Sequence, residues 1–494
     1  MLFNSYEFVI FLPVAVAVNY ILPKKVRYIW LLIASYYYYM CWNAKYALLI
    51  LTSTVVTYAC GLALERFKDD ESGTARKKLA VALSLVINLG ILFVFKYLGF
   101  AQDTAEKLMS ALNVTVNMRH VDLVLPVGIS FYTFQALGYT IDVYRGEVKA
   151  ERNFLKYALF VSFFPQLVAG PIERSKNLLT QLENPAKLTY DGFRDAVLMI
   201  LRGYFMKIVV ADRIAIFVDT VYADIGAFPG WYLIVATMLF AVQIYCDFGG
   251  YTMIAMGSAK LLGIRLMENF NAPYFSTSVA QFWRNWHISL TSWFRDYVYI
   301  PLGGNRRGKA RKYLNIMIVF LLSGLWHGAK VSFVIWGGLN GLYQIAGETI
   351  KPAREKFAKR LGLNKEAFGD RLLAGLVTFI LVDFSWIFFR ADGASEAVKA
   401  IKSIVHADNM HILVDGSLYN CGLNRQNFAL MLISIGILAA LDFLKHKRVE
   451  TRDVLARQSW WFRCVYIAVA VLFILLFGVW GPGYNAASFI YFQF

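Results

Sequence analysis

Two histidines stand apart from the other four in this 494-residue chain. His327 closes the run Tyr313-Leu-Asn-Ile-Met-Ile-Val-Phe-Leu-Leu-Ser-Gly-Leu-Trp326, in which no residue carries a charge. A helix entering an apolar medium at Lys312 would carry His327 about 20 Å inward at ~1.5 Å per residue. A charged imidazole at that depth is costly, so the ring is expected to stay neutral or to face a polar cavity. A neutral imidazole keeps one ring nitrogen ready for a proton, as a general base for a hydroxyl nucleophile must. The same ring bonded to another helix would be structural glue and no more. Flanking glycines, Gly324 and Gly328, are expected to leave the backbone open to a substrate, and Trp326 to wall off water. His287 lies in Phe282-Trp-Arg-Asn-Trp-His-Ile-Ser-Leu290. If that stretch is helical, Trp283 and Arg284 share its face at i−4 and i−3. It is read as a substrate-binding or His327-orienting group, with a hydrogen-bonding interfacial histidine as the equal alternative. His120, His406, His411 and His446 fall in hydrophilic connections.

Several other chemistries fail. The run from Gly303 to Ala310 nearly spells a phosphate-binding loop, but Ala310 stands where a magnesium-binding hydroxyl belongs. There is no GxSxG, no HExxH and no His-x4-Asp, since Ser292 and Ser332 follow the two histidines at that spacing. The five cysteines contain no CxxC pair, so no metal site or disulfide framework is expected. Between Arg284 and Lys312 the chain is rich in Trp and Arg: Trp286, Trp293, Arg295, then Arg306, Arg307, Lys309 and Arg311, with Asp296 the counter-charge. Such a stretch suits a membrane–water interface, where indole sits at headgroup level and guanidinium reaches phosphate. It reads either as an anchor or as a basic floor for a phosphate-bearing donor. Asp247, between Cys246 and Phe248, is an acid at the end of an apolar run and is expected to need a cationic partner, Arg284 or His287.

The elements that must hold these groups are membrane helices. Hydrophobic residues make up 58% of the chain and charged residues only 17%, too few to cover several soluble domains. The 39 Phe, 29 Tyr and 12 Trp exclude a disordered chain. The net charge of +17 comes from short basic runs between apolar stretches, so it points to cytoplasmic loops rather than to nucleic acid. Thirteen apolar stretches are candidate spans: 6–22, 28–44, 46–64, 79–98, 123–143, 154–172, 196–222, 230–246, 313–329, 331–348, 372–389, 427–444 and 462–482. With some of them re-entrant, roughly ten to twelve crossings are expected of an all-α polytopic membrane protein. Basic loops after the first, third and fifth spans, Lys68 among their residues, predict an N-terminus outside. Residues 101–112 and 353–361 are candidate interfacial helices.

At these residues the chain resembles the membrane-bound O-acyltransferase (MBOAT) family, in its bacterial AlgI/DltB-like branch of alginate-type O-acetyltransferases and D-alanyl transferases. The matching segments include Leu125-Pro-Val-Gly-Ile-Ser-Phe-Tyr132, Phe164-Pro-Gln-Leu-Val-Ala-Gly-Pro-Ile172, Tyr245-Cys-Asp-Phe-Gly-Gly-Tyr251 and Met267-Glu-Asn-Phe270. They continue through Phe282–Leu290, Pro301-Leu-Gly-Gly304 and Gly324-Leu-Trp-His-Gly328 to the ending Phe489-Ile-Tyr-Phe-Gln-Phe494. The resemblance implies one MBOAT-like helical bundle over 1–494 with a central funnel. Residues 1–120 would be peripheral helices, 121–350 the catalytic core and 351–494 C-terminal helices. It puts the family's catalytic His on His327 and its second motif residue, His or Asn, on His287. Asp247, Trp283, Arg284, Trp286, Arg295, Asp296 and Trp326 are the accompanying donor- and substrate-binding candidates. It implies acetyl-CoA as co-substrate with no bound cofactor, in a bacterial cytoplasmic membrane. The acceptor would be a surface polysaccharide, reached directly or through an extracytoplasmic SGNH-type partner. D-alanylation from an acyl carrier protein is the alternative within the family; a non-catalytic transporter or a pure scaffold is the alternative outside it. Thr252-Met253 stands where alginate-type proteins tend to carry a Ser-Asp pair, so the polymer stays open.

Overall fold

The computed structural model describes residues 1–67, 73–114, 123–360, 362, 364, 367–479 and 489–490. Lys68 and His120 lie outside them, as do residue 361 and most of the C-terminal ending. Every regular element among the described residues is helical. Among the described residues, six helical stretches are long and apolar enough to cross a membrane: Ala44–Arg66, Gly73–Ala111, Trp231–Leu261, Phe368–Arg390, Arg425–His446 and Trp460–Phe477. The expected amphipathic stretches are helical too, over Leu98–Ala111 and Lys351–Arg360.

The chain forms two compact units, one of Met1–Ala196 with Ala255–Met267 and the other of Val197–Ile254 with Glu268–Phe494. The first unit gathers helices α1 (Tyr6–Ile21), α2 (Arg27–Met40), α3 (Ala47–Arg66), α4 (Gly73–Leu92), α5 (Ile129–Tyr144) and α6 (Phe154–Ser162). Helices in an apolar medium associate through small residues and interhelical hydrogen bonds, and this unit uses both. Gly61 lets α3 approach α5 so closely that a Cβ there would sit 2.8 Å from the Tyr139 ring. The Tyr157 hydroxyl donates to Thr57 at 2.6 Å, and Ser84 bonds Thr140 at 3.1 Å.

The expected span over 154–172 is not one helix. It breaks at Phe163 and resumes as the four-residue helix Phe164–Leu167, with 157–172 wholly buried. Pro165 explains the break, because it lacks the N–H that a continuing helix would need and its ring would meet the carbonyl one turn back. Glu173 follows, and its carboxylate accepts the Met267 N–H and Asn177 Nδ2. Burial raises its pKa above the ordinary carboxylate range.

The second unit carries the two singled-out histidines. Helix α7 (Tyr190–Tyr204) runs into α8 (Asp212–Ala223) through a π-helical turn, Phe205–Ala211, whose hydrogen bonds skip one residue more than in an α-helix. Then come α9 (Trp231–Leu261), the short α10 (Val279–Asn285) and α11 (Ile288–Phe294), and the hairpin of α12 (Gly308–His327) and α13 (Val331–Thr349). Helix α14 (Phe368–Arg390) covers the hairpin, and α15 (Arg425–His446) and α16 (Trp460–Phe477) close the chain. These last two helices are mostly exposed and apolar, as lipid-facing helices are.

Candidate active site

His327 is the last residue of α12. Gly328 ends the helix in an extended conformation (φ −165°, ψ 154°), and only Ala329 and Lys330 separate it from α13. So short a link forces an antiparallel hairpin. Its two helices meet backbone to backbone. A Cβ on Gly324 would lie 2.3 Å from the Phe333 carbonyl oxygen, and one on Gly337 2.3 Å from that of Phe320. A Cβ on Gly328 would fall 2.2 Å from the Phe333 ring. The space beside Gly324 and Gly328 is therefore filled by α13, and the expectation that these glycines admit a substrate is corrected. They set the hairpin's closeness, and through it the place of His327. The imidazole is buried, edge-on to Trp336 at 5.0 Å and to Phe389 at 5.4 Å between ring centres.

His287 is not helical. Helix α10 stops at Asn285, Trp286 is extended (φ −112°, ψ 129°), and His287 takes the left-handed conformation (φ 44°, ψ 53°) before α11 begins. Trp283 and Arg284 thus share no helical face with it, contrary to the sequence expectation. The cause is the preceding segment, which competes for the backbone groups a continuous helix would pair. The Ile288 N–H donates to the Asn269 carbonyl at 3.0 Å, and the Asn271 N–H donates to the Asn285 carbonyl at 3.0 Å. The Ser289 N–H donates to Asn269 Oδ1 at 3.1 Å. The turn aims the His287 ring at Phe248 (4.7 Å), Trp326 (5.8 Å) and His327 (6.3 Å). Burial holds its pKa well below the ordinary imidazole range, so this ring is neutral.

Aromatic side chains wall the pair. Trp286, fully buried, stacks on Phe282 at 5.2 Å and meets Phe270 (5.0 Å) and Trp386 (5.2 Å). Trp283 donates its indole N–H to Asn340 at 3.2 Å and stands edge-on to Trp336 at 5.6 Å. Trp336 in turn stacks on Trp386 at 5.7 Å. Trp326 meets both histidines, at 5.8 Å from His287 and 5.0 Å from His327, while Trp283 and Trp286 connect to the pair through Trp336 and Trp386. Trp336, Trp386 and Phe389 complete the chamber and were not singled out from sequence, where they look like any aromatic residue of an apolar run.

Asp247 does have a cationic partner, but it is Lys207, 2.6 Å away, rather than Arg284 or His287. Lys207 also pairs with Asp212 at 2.7 Å, and the Ile490 N–H donates to Asp247 Oδ2 at 2.7 Å. All three charged side chains are buried. The legible signal was Lys207 and Asp212 themselves, two of the five charged residues inside the apolar run 196–222. Arg284 and Arg295 are exposed. Arg284 bonds back to the Ala280 carbonyl and Arg295 pairs with its neighbour Asp296 at 2.8 Å. Arg306, Arg307 and Lys309 are exposed as well, while Lys312 pairs with Glu348.

Residues 145–361 match the model of the membrane-bound O-acyltransferase family. The chain is 37% identical over 398 residues to the probable alginate O-acetylase AlgI of Pseudomonas syringae pv. tomato, covering 79% of this chain and 73% of the relative. It is 32% identical over the full length of both chains to the probable alginate O-acetylase AlgI of Pseudomonas putida. It is 33% identical to the peptidoglycan O-acetyltransferase of Helicobacter pylori, over 82% of this chain and 80% of the relative. With its helical architecture and apolar spans, the chain belongs to the membrane-bound O-acyltransferase family and is a multi-pass membrane O-acyltransferase.

Proposed function

We propose that this enzyme takes an acetyl group from cytosolic acetyl-CoA and delivers it for O-acetylation of an extracytoplasmic polysaccharide, directly or through an SGNH-type partner. The observation that carries the reading is the histidine pair. Two buried imidazoles stand 6.3 Å apart between ring centres inside one aromatic chamber, near enough to act on one bound substrate group. In the proposed reaction His327 removes the proton of the acceptor hydroxyl as its oxygen attacks the thioester carbonyl. The carbon–sulfur bond then breaks, and the departing thiolate takes the proton back from the imidazolium. An alcohol needs such help because it is a weak nucleophile at neutral pH. His287 binds the substrate or orients His327. The indoles of Trp326 and Trp286 keep water from the thioester. The exposed Arg306, Arg307 and Lys309 suit the phosphates of a CoA approaching from the cytosol. The enzyme would sit in a bacterial cytoplasmic membrane with its N-terminus outside, as the basic loops suggest.

The test expresses His327→Ala and His287→Ala at matched membrane levels and measures O-acetyl content of the polymer. His327→Ala should abolish transfer with donor binding kept, and His287→Ala should be milder. Retained acetylation in the His327 variant would reject the mechanism. Incorporation of alanine instead of acetate by the wild type would reject acetyl-CoA in favour of a carrier-protein thioester.

A further inference from the structure

The residue at the N-cap of a helix normally turns its own side chain back onto the free N–H groups of the first turn. His287 occupies that position for α11, yet its imidazole makes no capping bond. The capping is done from another segment. Asn269, 1% exposed, accepts the Ser289 N–H on its side-chain oxygen and the Ile288 N–H on its main-chain oxygen. Its amide nitrogen reaches Thr252 at 3.5 Å, which orients the oxygen toward α11. A left-handed histidine is uncommon and persists where its surroundings over-determine it. Here they do so through Asn269.

We infer that Asn269 is a positioning residue for the acyl transfer: by capping α11 in place of His287, it locks the left-handed turn that points the His287 imidazole at His327. The inference rests on the reading of His287 and His327 as the reacting pair. It explains why a polar residue is buried at this point, and why position 287 suits His. Besides glycine, His, Asn and Asp tolerate left-handed backbone best.

The experiment compares Asn269→Leu, which matches the volume but cannot accept, with Asn269→Asp, which keeps the acceptor oxygen. Purified full-length protein is treated with diethyl pyrocarbonate, and modification of His287 is followed by peptide mass spectrometry. Asn269→Leu should speed modification of His287 at least tenfold, while Asn269→Asp stays within about twofold of wild type. Equal protection in Asn269→Leu overturns the proposal, whatever the reaction proves to be. In membrane vesicles supplied with acetyl-CoA, Asn269→Leu should lower kcat roughly 10- to 100-fold, the scale of an ångström's misplacement, with the donor KM within twofold. Added to His287→Ala, it should cost nothing further. An additive loss in the double variant would mean that Asn269 serves stability alone and would overturn the positioning role. A wild type that fails to consume acetyl-CoA would instead reject the donor assignment and leave the labelling result to decide on Asn269.

Discussion

Lys207 lies between two carboxylates, so replacing it with methionine is a severe test of how this interior is held together. Its Nζ is 2.6 Å from Asp247 and 2.7 Å from Asp212. With the cation gone, the two acidic oxygens face each other across at most roughly 5 Å. At an effective dielectric of ~20, two unit charges at that distance repel by about 3 kcal/mol. Removing one partner of a buried ion pair costs about 3–5 kcal/mol in any case, because the remaining charge stays desolvated. The thermal midpoint of the detergent-solubilised protein, read by loss of the monodisperse peak, should drop by on the order of 5–10 °C. Adding Asp247→Asn to Lys207→Met removes one of the opposed charges and should restore about half of that loss. A Lys207→Met protein with the wild-type midpoint would refute the reasoning, as would a double variant less stable than the single one.

Two more outcomes follow from the same structure. Gly324→Ala forces a methyl group to within 2.3 Å of the Phe333 carbonyl oxygen. It should cost about 1–3 kcal/mol and lower acyl transfer with it, because the hairpin that places His327 must open. Gly436→Ala in α15, with nothing within 4 Å, should be neutral or slightly stabilising, and equal midpoints for the two variants would contradict this. The second outcome concerns pH. Burial depresses the pKa of His287 in the folded protein, so its contribution is complete above the unfolded value of ~6.5 and is lost progressively as pH falls from there toward the folded value of about 3. In that range the unfolded chain binds the extra proton, and stability should fall by up to ~1.4 kcal/mol per pH unit. Thermal midpoints of wild type and His287→Asn between about pH 7.5 and 5 should diverge, with the variant less pH-dependent.

The burial of the site's polar groups was legible where a single residue type is expensive out of place. A histidine at the end of a charge-free run and an acid inside an apolar helix each announce a function or a partner, and His327 and Asp247 are both buried as expected. What escaped sequence reading was set by packing between distant segments. Asn269 is eighteen residues from His287, and nothing in local spacing says that it interrupts the helix there. Trp336, Trp386 and Phe389 are indistinguishable in sequence from lipid-facing aromatics, since both environments are apolar. The glycines of Gly324-Leu-Trp-His-Gly328 were visible, but an absent side chain reads the same whether it admits a substrate or a neighbouring helix. The break at Pro165 was missed, and proline's type alone does not mark one, since Pro13 lies inside the unbroken α1; that the flanks of the break would be wholly interior was not legible either.

The π-helical turn at Phe205–Ala211 makes chain length a constraint of its own. Five residues along a regular α-helix point about 140° apart, so Lys207 and Asp212 would look in different directions. The wider turn brings them into phase, and only then does one ammonium reach a carboxylate on its own chain segment and another on α9. Substitutions at Ile208, Val209 or Val210 leave that phase unchanged and can be absorbed by repacking. Inserting one more residue into the turn would carry Asp212 about 100° further round and swing it away from Lys207, whereas deleting one would leave the pair four apart on one face of a regular α-helix. The segment therefore works as a spacer whose residue count is as much a part of the charge network as the charges themselves.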